Sequence, residues 1–342
     1  MSRSSKLFLL SLVLAAVLLF AGCTAAPSPA PAEETQPGAA VTEAGEEPQV
    51  TQADLVFGMA VHANPAEDAF WAVVEKGAQD AAATYGVELT SGGNSDPVAQ
   101  AQLVEDFIGA NVDGIFVSLA NPDALRDAIT RATDAGIPVI TINSGVDVYK
   151  ELGALTHIGQ TEFVAGQGAG EQFSAAGANK VLCVIHEEGN IGLEQRCDGL
   201  ADTSCGEVER FNVATTGVRD VAGTVSSIQN KLISDADIDA ILTLNPVIAT
   251  AARDAIAAAG GSQMLATFDL SPDVLAAIEA GEMLFAVDQQ QYLQGYLPVV
   301  LLYLYNTNLN TVGGGLPVLT GPGFVDQSNA AAVKDLSAQG TR

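Results

Sequence analysis

From residue 55 onward, short runs of aliphatic and β-branched residues alternate with longer stretches of helical periodicity. The runs fall at 55–61, 87–91, 114–118, 138–142, 181–185, 208–213, 240–244, 265–268 and 284–287. They are largely continuous rather than alternating. Both faces of such strands are expected to be buried, as in a parallel sheet covered by helices on each side. Between them, Phe70, Trp71, Val74 and Ala78 recur at helical spacing, as do Leu125, Ala128, Ile129 and Ala132. Tyr85-Gly86 and Ala135-Gly136 read as helix stops, because glycine takes the left-handed cap conformation without steric penalty. Asp96-Pro97, Asn121-Pro122 and Ser271-Pro272 read as starts, with a capping side chain ahead of a proline in the first turn. Regular β-α alternation predicts an open α/β sheet. About nine strands are more than one compact lobe holds, and a seam lies near His157-Ile158-Gly159-Gln160. Two lobes are therefore expected. Open α/β sheets take ligands beyond the carboxyl ends of their strands, so two facing sheets make a cleft.

The first 53 residues follow other rules. Arg3 and Lys6 precede an apolar run over 7–21, which has the form of a secretory signal over residues 1–22. The run falls short of the ~20 apolar residues of a comfortable transmembrane helix. It ends in Phe20-Ala21-Gly22-Cys23, which resembles a bacterial lipobox with Cys23 as the acylated residue. Residues 23–53 are rich in Ala, Pro, Glu, Thr and Gly and carry no apolar periodicity, so they read as a disordered tether. Lipid-anchored placement outside a bacterial cytoplasmic membrane is expected.

Charge narrows the partners. Lys and Arg number 14 against 41 Asp and Glu, for a net charge of −27. That balance excludes nucleic acid, whose phosphates call for a basic surface. His62, His157 and His186 lack metal-ligand spacing, so no metal or cofactor is expected. Cys183, Cys197 and Cys205 include no CxxC pair. Export permits one disulfide. Cys183 sits in an apolar run and reads as core, which puts Cys197–Cys205 first and Cys183–Cys197 as its competitor. Gly166-Gln167-Gly168-Ala169-Gly170 has the wrong spacing for a dinucleotide loop and reads as close helix packing. There is no GxSxG elbow and no plausible Cys-His pair, which counts against an exported hydrolase.

Several dispersed strings carry a family resemblance: Asp68-Ala69-Phe70-Trp71, Gly136-Ile137-Pro138 leading to Asn143-Ser144, Thr267-Phe268-Asp269, and Asp288-Gln289-Gln290 ahead of Gly295-Tyr296. Over about residues 54 to 326 the chain resembles the type I periplasmic binding proteins of sugar importers, the ribose-binding-like family. The resemblance implies an α/β fold of two doubly wound, mostly parallel-sheet lobes joined by three crossings, near Gln160, near Gln289-Gln290 and between Leu319 and Pro322. It implies lobes of 54–160 with 290–319, and of 161–289 with 320–342. The absence of an N-terminal helix-turn-helix and the export signal set aside the repressors that share this core.

A sugar presents hydroxyls at its edge and C–H groups on its faces, so its site needs planar donors and acceptors together with aromatic rings. The resemblance places Phe70 and Trp71 in ring-stacking positions and Asp68 in the polar position before them. His62 ends the first strand near the cleft mouth. Asn143 and Ser144 stand where a ribose-type site carries an Asp-Arg pair, which replaces fixed charges by neutral groups. Arg196 matches a cleft arginine from the second lobe, able to fork two hydroxyls. Asn245, Asp269 and Gln289 match ligand positions at strand ends, and Asp269 is expected to draw hydrogen bonds from Arg196 and the sugar. Arg219-Asp220 lies near a further contact position. The implied function is capture of a small polar ligand, a monosaccharide or related sugar, by hinge closure, with delivery to an ABC transporter permease. A chemoreceptor is a compatible further partner. A polyol such as an inositol, an amino-sugar, an autoinducer-2-like furanose or a nucleoside are alternative ligands, and an exported carbohydrate-active enzyme is the competitor from another class.

Overall fold

A computed structural model of the protein describes residues 54–213 and 217–342. The expected signal peptide, Cys23 and the whole of the tether lie outside the described residues. The chain folds around two six-stranded sheets. The first contains β1 (Val56–Val61), β2 (Glu88–Gly93), β3 (Gly114–Ser118), β4 (Val139–Asn143), β5 (Thr156–Gly159) and β11 (Val318–Leu319), in the order β11-β5-β4-β3-β1-β2. All its pairings are parallel. The second contains β6 (Lys180–Ile185), β7 (Glu207–Asn212), β8 (Ala240–Thr243), β9 (Met264–Phe268), β10 (Phe285–Asp288) and β12 (Gly323–Asp326), in the order β12-β10-β9-β8-β6-β7. Here only β10–β12 is antiparallel. Counted from its own first strand, each sheet has the same doubly wound order. The chain passes from the first sheet to the second after β5, returns after β10, and passes over again after β11.

Burial on both faces explains the unbroken apolar runs. Within β6, Val181, Cys183 and Ile185 pack against α4 (Glu162–Ala176) and α5 (Ile191–Thr203). Leu182 and Val184 face the opposite core, which includes α6 (Val221–Ser234), α7 (Pro246–Ala259) and α8 (Pro272–Ala280). The first sheet is covered in the same way by α1 (Ala69–Tyr85) and α9 (Gln291–Asn308) on one face. On the other lie α2 (Pro97–Gly109) and α3 (Pro122–Asp134). The starts and stops act as expected. Asp96, Asn121 and Ser271 cap α2, α3 and α8, each with a proline in the first turn, and Gly86 closes α1 in the left-handed conformation.

Among the described residues the strands number twelve rather than about nine. The seam at His157 proves to be β5, and two short strands, β11 and β12, flank the third crossing. The Gly166–Gly170 segment is a packing device. A Cβ on Gly166 would overlap the Arg196 carbonyl oxygen, and one on Gly199 would overlap that of Phe163, so α4 and α5 touch backbone to backbone.

The expected Cys197–Cys205 pairing is corrected. Cys183 and Cys197 form the disulfide, with their Cα atoms 6.0 Å apart, while Cys205 is free and exposed. The reason is facial. Cys183 points from β6 into the core that α5 covers, and Cys197 is buried on the facing side of α5. Cys205 lies beyond the end of that helix.

Candidate ligand-binding cleft

A cavity of 370 Å³ opens between the carboxyl ends of the two sheets. Ten of the residues singled out in the sequence line it: His62, Asp68, Phe70, Trp71, Asn143, Ser144, Arg196, Asn245, Asp269 and Gln289. His186, Glu187, Asn190, Leu193 and Leu244 line it as well, and the sequence reading missed them. His186 and Glu187 directly follow β6, so the strand-end rule that picked out Asn143 applies to them equally.

One wall is aromatic. Asp68 caps α1 by accepting from the backbone N–H groups of Phe70 and Trp71, at 2.8 and 3.3 Å. This fixes the first turn and presents both rings. Phe70 and Trp71 meet edge to face with centroids 4.9 Å apart, and His62 packs on Trp71 in the same manner at 4.8 Å. His62 is held in turn by Ser118 at the end of β3, with Nδ1 2.7 Å from Oγ.

The floor is a chain of amides. Asn143 Nδ2 donates to Gln289 Oε1 at 3.2 Å, and Gln289 Nε2 donates to Asp269 Oδ1 at 2.7 Å. Gln294 from α9 donates to the same Gln289 oxygen at 3.1 Å. Ser144 donates to Asn143 Oδ1 at 3.0 Å. Asn245 accepts from the Val247 N–H, capping α7 at the end of β8. Burial pushes the Asp269 carboxyl up to about 7, against the opposing pull of Arg196 and the Gln289 bond.

Arg196 corrects one expectation. Its principal partner is Glu162, at the start of α4, rather than Asp269. Nε donates to Glu162 Oε2 at 2.6 Å and Nη2 to Oε1 at 3.1 Å. Their side chains are only 4 % and 1 % exposed. The guanidinium also sits 4.4 Å over the Phe268 ring. Burial would lower the Arg196 pKa, but Glu162 outweighs it and the net shift is upward. The Arg219-Asp220 position also departs from its expected role. Arg219 is exposed beside Ser95 and Glu67, and Asp220 caps α6, so neither lines the cavity.

The two halves meet around this cavity. The Ile191 N–H donates to the Ala120 carbonyl at 3.1 Å, Gln195 Nε2 donates to Asp147 at 2.7 Å, and Asn190 Nδ2 lies 3.5 Å from His62 Nε2. Two sheets thus offer their strand ends to one polar and partly aromatic space.

The chain belongs to the periplasmic binding protein domain family, whose sequence model matches residues 58–308. It is 27 % identical over 309 residues to the xylose/arabinose-binding protein XylF of Sulfolobus acidocaldarius, covering 83 % of this chain and 74 % of that one. It is 28 % identical over 243 residues to the ribose import binding protein RbsB of Haemophilus influenzae, covering 68 % and 80 %. Among solved structures it is similar to a carbohydrate transporter protein of Acidothermus cellulolyticus in complex with myo-inositol. That match has a TM-score of 0.81 and 43 % identity, over 84 % of this chain and 99 % of that one. A solute-binding protein of Burkholderia graminis in complex with D-arabinose matches with a TM-score of 0.71 and 25 % identity, over 81 % and 96 %. Among the described residues no helix is long and apolar enough to cross a membrane.

Proposed function

We propose that this chain is the substrate-binding component of an ABC importer and captures one small polyhydroxylated ring, a monosaccharide or a cyclitol. The observation that carries the reading is the cavity between the sheet ends, where aromatic rings meet a ring of amides and one arginine. Phe70 and Trp71 take the C–H faces of the ring. Asn143, Asn245, Asp269 and Gln289 take its hydroxyls, with Arg196 held rigid by Glu162 as a further donor. The similarity to a chain solved with myo-inositol supports the ligand class.

The lobes, 54–160 with 290–319 and 161–289 with 320–342, turn about the three crossings. Ligand touches both only when the cleft is shut, so binding biases the closed state that a permease recognises. Residues 1–22 act as the export signal, acylated Cys23 holds the protein at the outer face of the membrane, and residues 23–53 give the binding body reach.

The test is thermal unfolding of the purified chain against sugars, cyclitols and nucleosides. A rise in Tm of several degrees with one sugar or cyclitol, abolished by Asp269→Ala, is expected. Stabilisation by no polyhydroxylated ring, or by one that Asp269→Ala leaves untouched, refutes the assignment.

A further inference from the structure

We infer that Glu187 is a specificity residue for a cationic group: the preferred ring carries a primary amine in place of one hydroxyl, at the position facing Glu187. The inference rests on the polyhydroxylated-ring reading above and deepens it.

The argument begins with charge compensation. Among the described residues Arg196 is the only lysine or arginine that lines the cavity, and its charge is met by the two-pronged bond to Glu162. Glu187 has no such partner. Its one hydrogen-bond donor among side chains is Asn190 Nδ2, at 2.7 Å. His62 Nε2 and His186 Nε2 stand 3.8 and 3.9 Å away, beyond hydrogen-bond length. Burial lowers both imidazoles, His186 to about 4, so both are neutral near pH 7. Asp68 lies close enough that the Glu187 charge adds to burial in raising its carboxyl. Burial would raise the Glu187 carboxyl, but the pull of His62, His186 and Arg196 and the Asn190 bond hold it below its usual range, so this wall is anionic, and among the described residues no lysine or arginine pairs with it directly.

A second observation points the same way. His186, itself 6 % exposed, lines the cavity and keeps its Nδ1 buried without a hydrogen-bond partner. An alkylammonium offers three donors and no acceptor, which suits a carboxylate with a single side-chain donor. A hydroxyl offers one donor and brings lone pairs toward the carboxylate. Glu187 also borders a neighbouring cavity of 600 Å³, shared with Glu188 and lined by no lysine or arginine. The Glu187 side chain keeps 29 % of its surface accessible there and in the cleft. Apart from Arg219, whose guanidinium bonds Ser95 at the edge of this space, a cation approaching through it meets carboxylates and neutral groups.

The experiment is calorimetric titration of the full chain with matched pairs: glucose against glucosamine, and myo-inositol against monoamino analogues with single hydroxyls replaced. At least one amine is expected to bind tenfold or more tightly than its parent, because charge-assisted hydrogen bonds are about twice as strong as neutral ones. Glu187→Gln should bring that ratio to within about twofold of unity, and Glu187→Asp should preserve the preference. Parents that bind while every amine binds equally or more weakly overturn the inference and leave the ring reading standing. An amine preference that survives Glu187→Gln also overturns it. Binding of neither member of any pair, nor of any other ring, defeats both readings.

Discussion

Asn143 and Asp269 occupy equivalent places in the two sheets. Each directly ends or follows the fourth strand of its winding, and each has a left-handed backbone, with φ of 62° and 70°. Gln289 joins them, accepting from Asn143 and donating to Asp269. Asn and Asp are the non-glycine residues that tolerate this conformation best, so the sequence can turn sharply here and still place a polar group in the cleft. Held strain of this kind costs of order 1–3 kcal/mol per residue and persists where the surroundings fix it. One lobe supplies a neutral amide at this place and the other an acid.

Asp269 makes the ligand-free protein less stable than it need be. Its folded value, about 7, lies above the 3.8 of a free carboxyl. As pH rises, the unfolded chain therefore loses this proton first, and stability is lost progressively between pH 4 and 7. Asp269→Asn should remove that penalty while Gln289 keeps an oxygen to donate to. At pH 8 the ligand-free variant is expected to be more stable than the parent by about 2–4 kcal/mol, with little difference at pH 4. The same variant should lose most ligand-dependent stabilisation. Chemical denaturation at the two pH values, with and without sugar, checks both halves.

Glu162 should matter as much as any residue that touches ligand. Glu162→Ala leaves the Arg196 guanidinium buried without its counterion, a loss of about 3–5 kcal/mol. The paired change Glu162→Leu with Arg196→Met should restore most of that stability, because an apolar pair avoids the desolvation penalty. It should not restore binding. Melting temperatures for the two variants and the parent, together with titration of the best ligand, separate the folding role from the recognition role.

Legibility followed burial. Strands such as β3 and β6 are readable because helices cover both faces and every position is apolar. β5 escaped because its polar residues are buried inside: His157 Nδ1 lies 2.9 Å from Thr141 Oγ1, and Thr156 donates to the Leu316 carbonyl at 3.3 Å. Read along the chain, Thr-His-Ile-Gly looks like a linker. The cleft residues were legible because strand ends converge on it by topology. Glu162 was not, since an acid in the first turn of a helix is ordinary and only the packing of α4 on α5 brings Arg196 to it. The cysteine pairing was hidden for the same reason, because the facing of β6 and α5 is a tertiary fact.

The Cys183–Cys197 bond ties the centre of β6 to the helix that carries Arg196. It closes a loop with a sequence separation of 14, and a loop of that size limits the unfolded chain by about 3 kcal/mol. Cys183→Ala with Cys197→Ala should lower Tm by several degrees. Ligand affinity should fall as well, since Asn190 and Arg196 lie on or beside α5. Cys205→Ser, at an exposed site, should change neither. Thermal melts under reducing and non-reducing conditions should show the bond's contribution in the parent and none in the double variant.

The second crossing is held from outside by Arg342. Its Nε donates to Asp288 Oδ2 at 2.7 Å and its Nη1 to Gln290 Oε1 at 3.1 Å. Asp288 is fully buried, and its other oxygen accepts from the Gln290 backbone N–H. Gln290 itself has a left-handed φ of 55° and donates through Nε2 to the Thr320 carbonyl at the third crossing. Arg342 therefore braces the second crossing, about which the lobes are proposed to turn, one residue from Gln289 in the cleft lining. Arg342→Ala should leave an Asp288 oxygen unpaired and cost about 1–3 kcal/mol. A brace on a hinge also restricts the open state, so the variant should show wider lobe separation without ligand. Arg342→Lys should recover part of the stability but not the fork to Gln290. Small-angle scattering of the ligand-free and ligand-bound forms is the measurement: a radius of gyration that is larger than the parent's without ligand and equal to it with ligand supports the hinge role. An unchanged ligand-free radius with only a lowered Tm reduces Arg342 to a local structural contact.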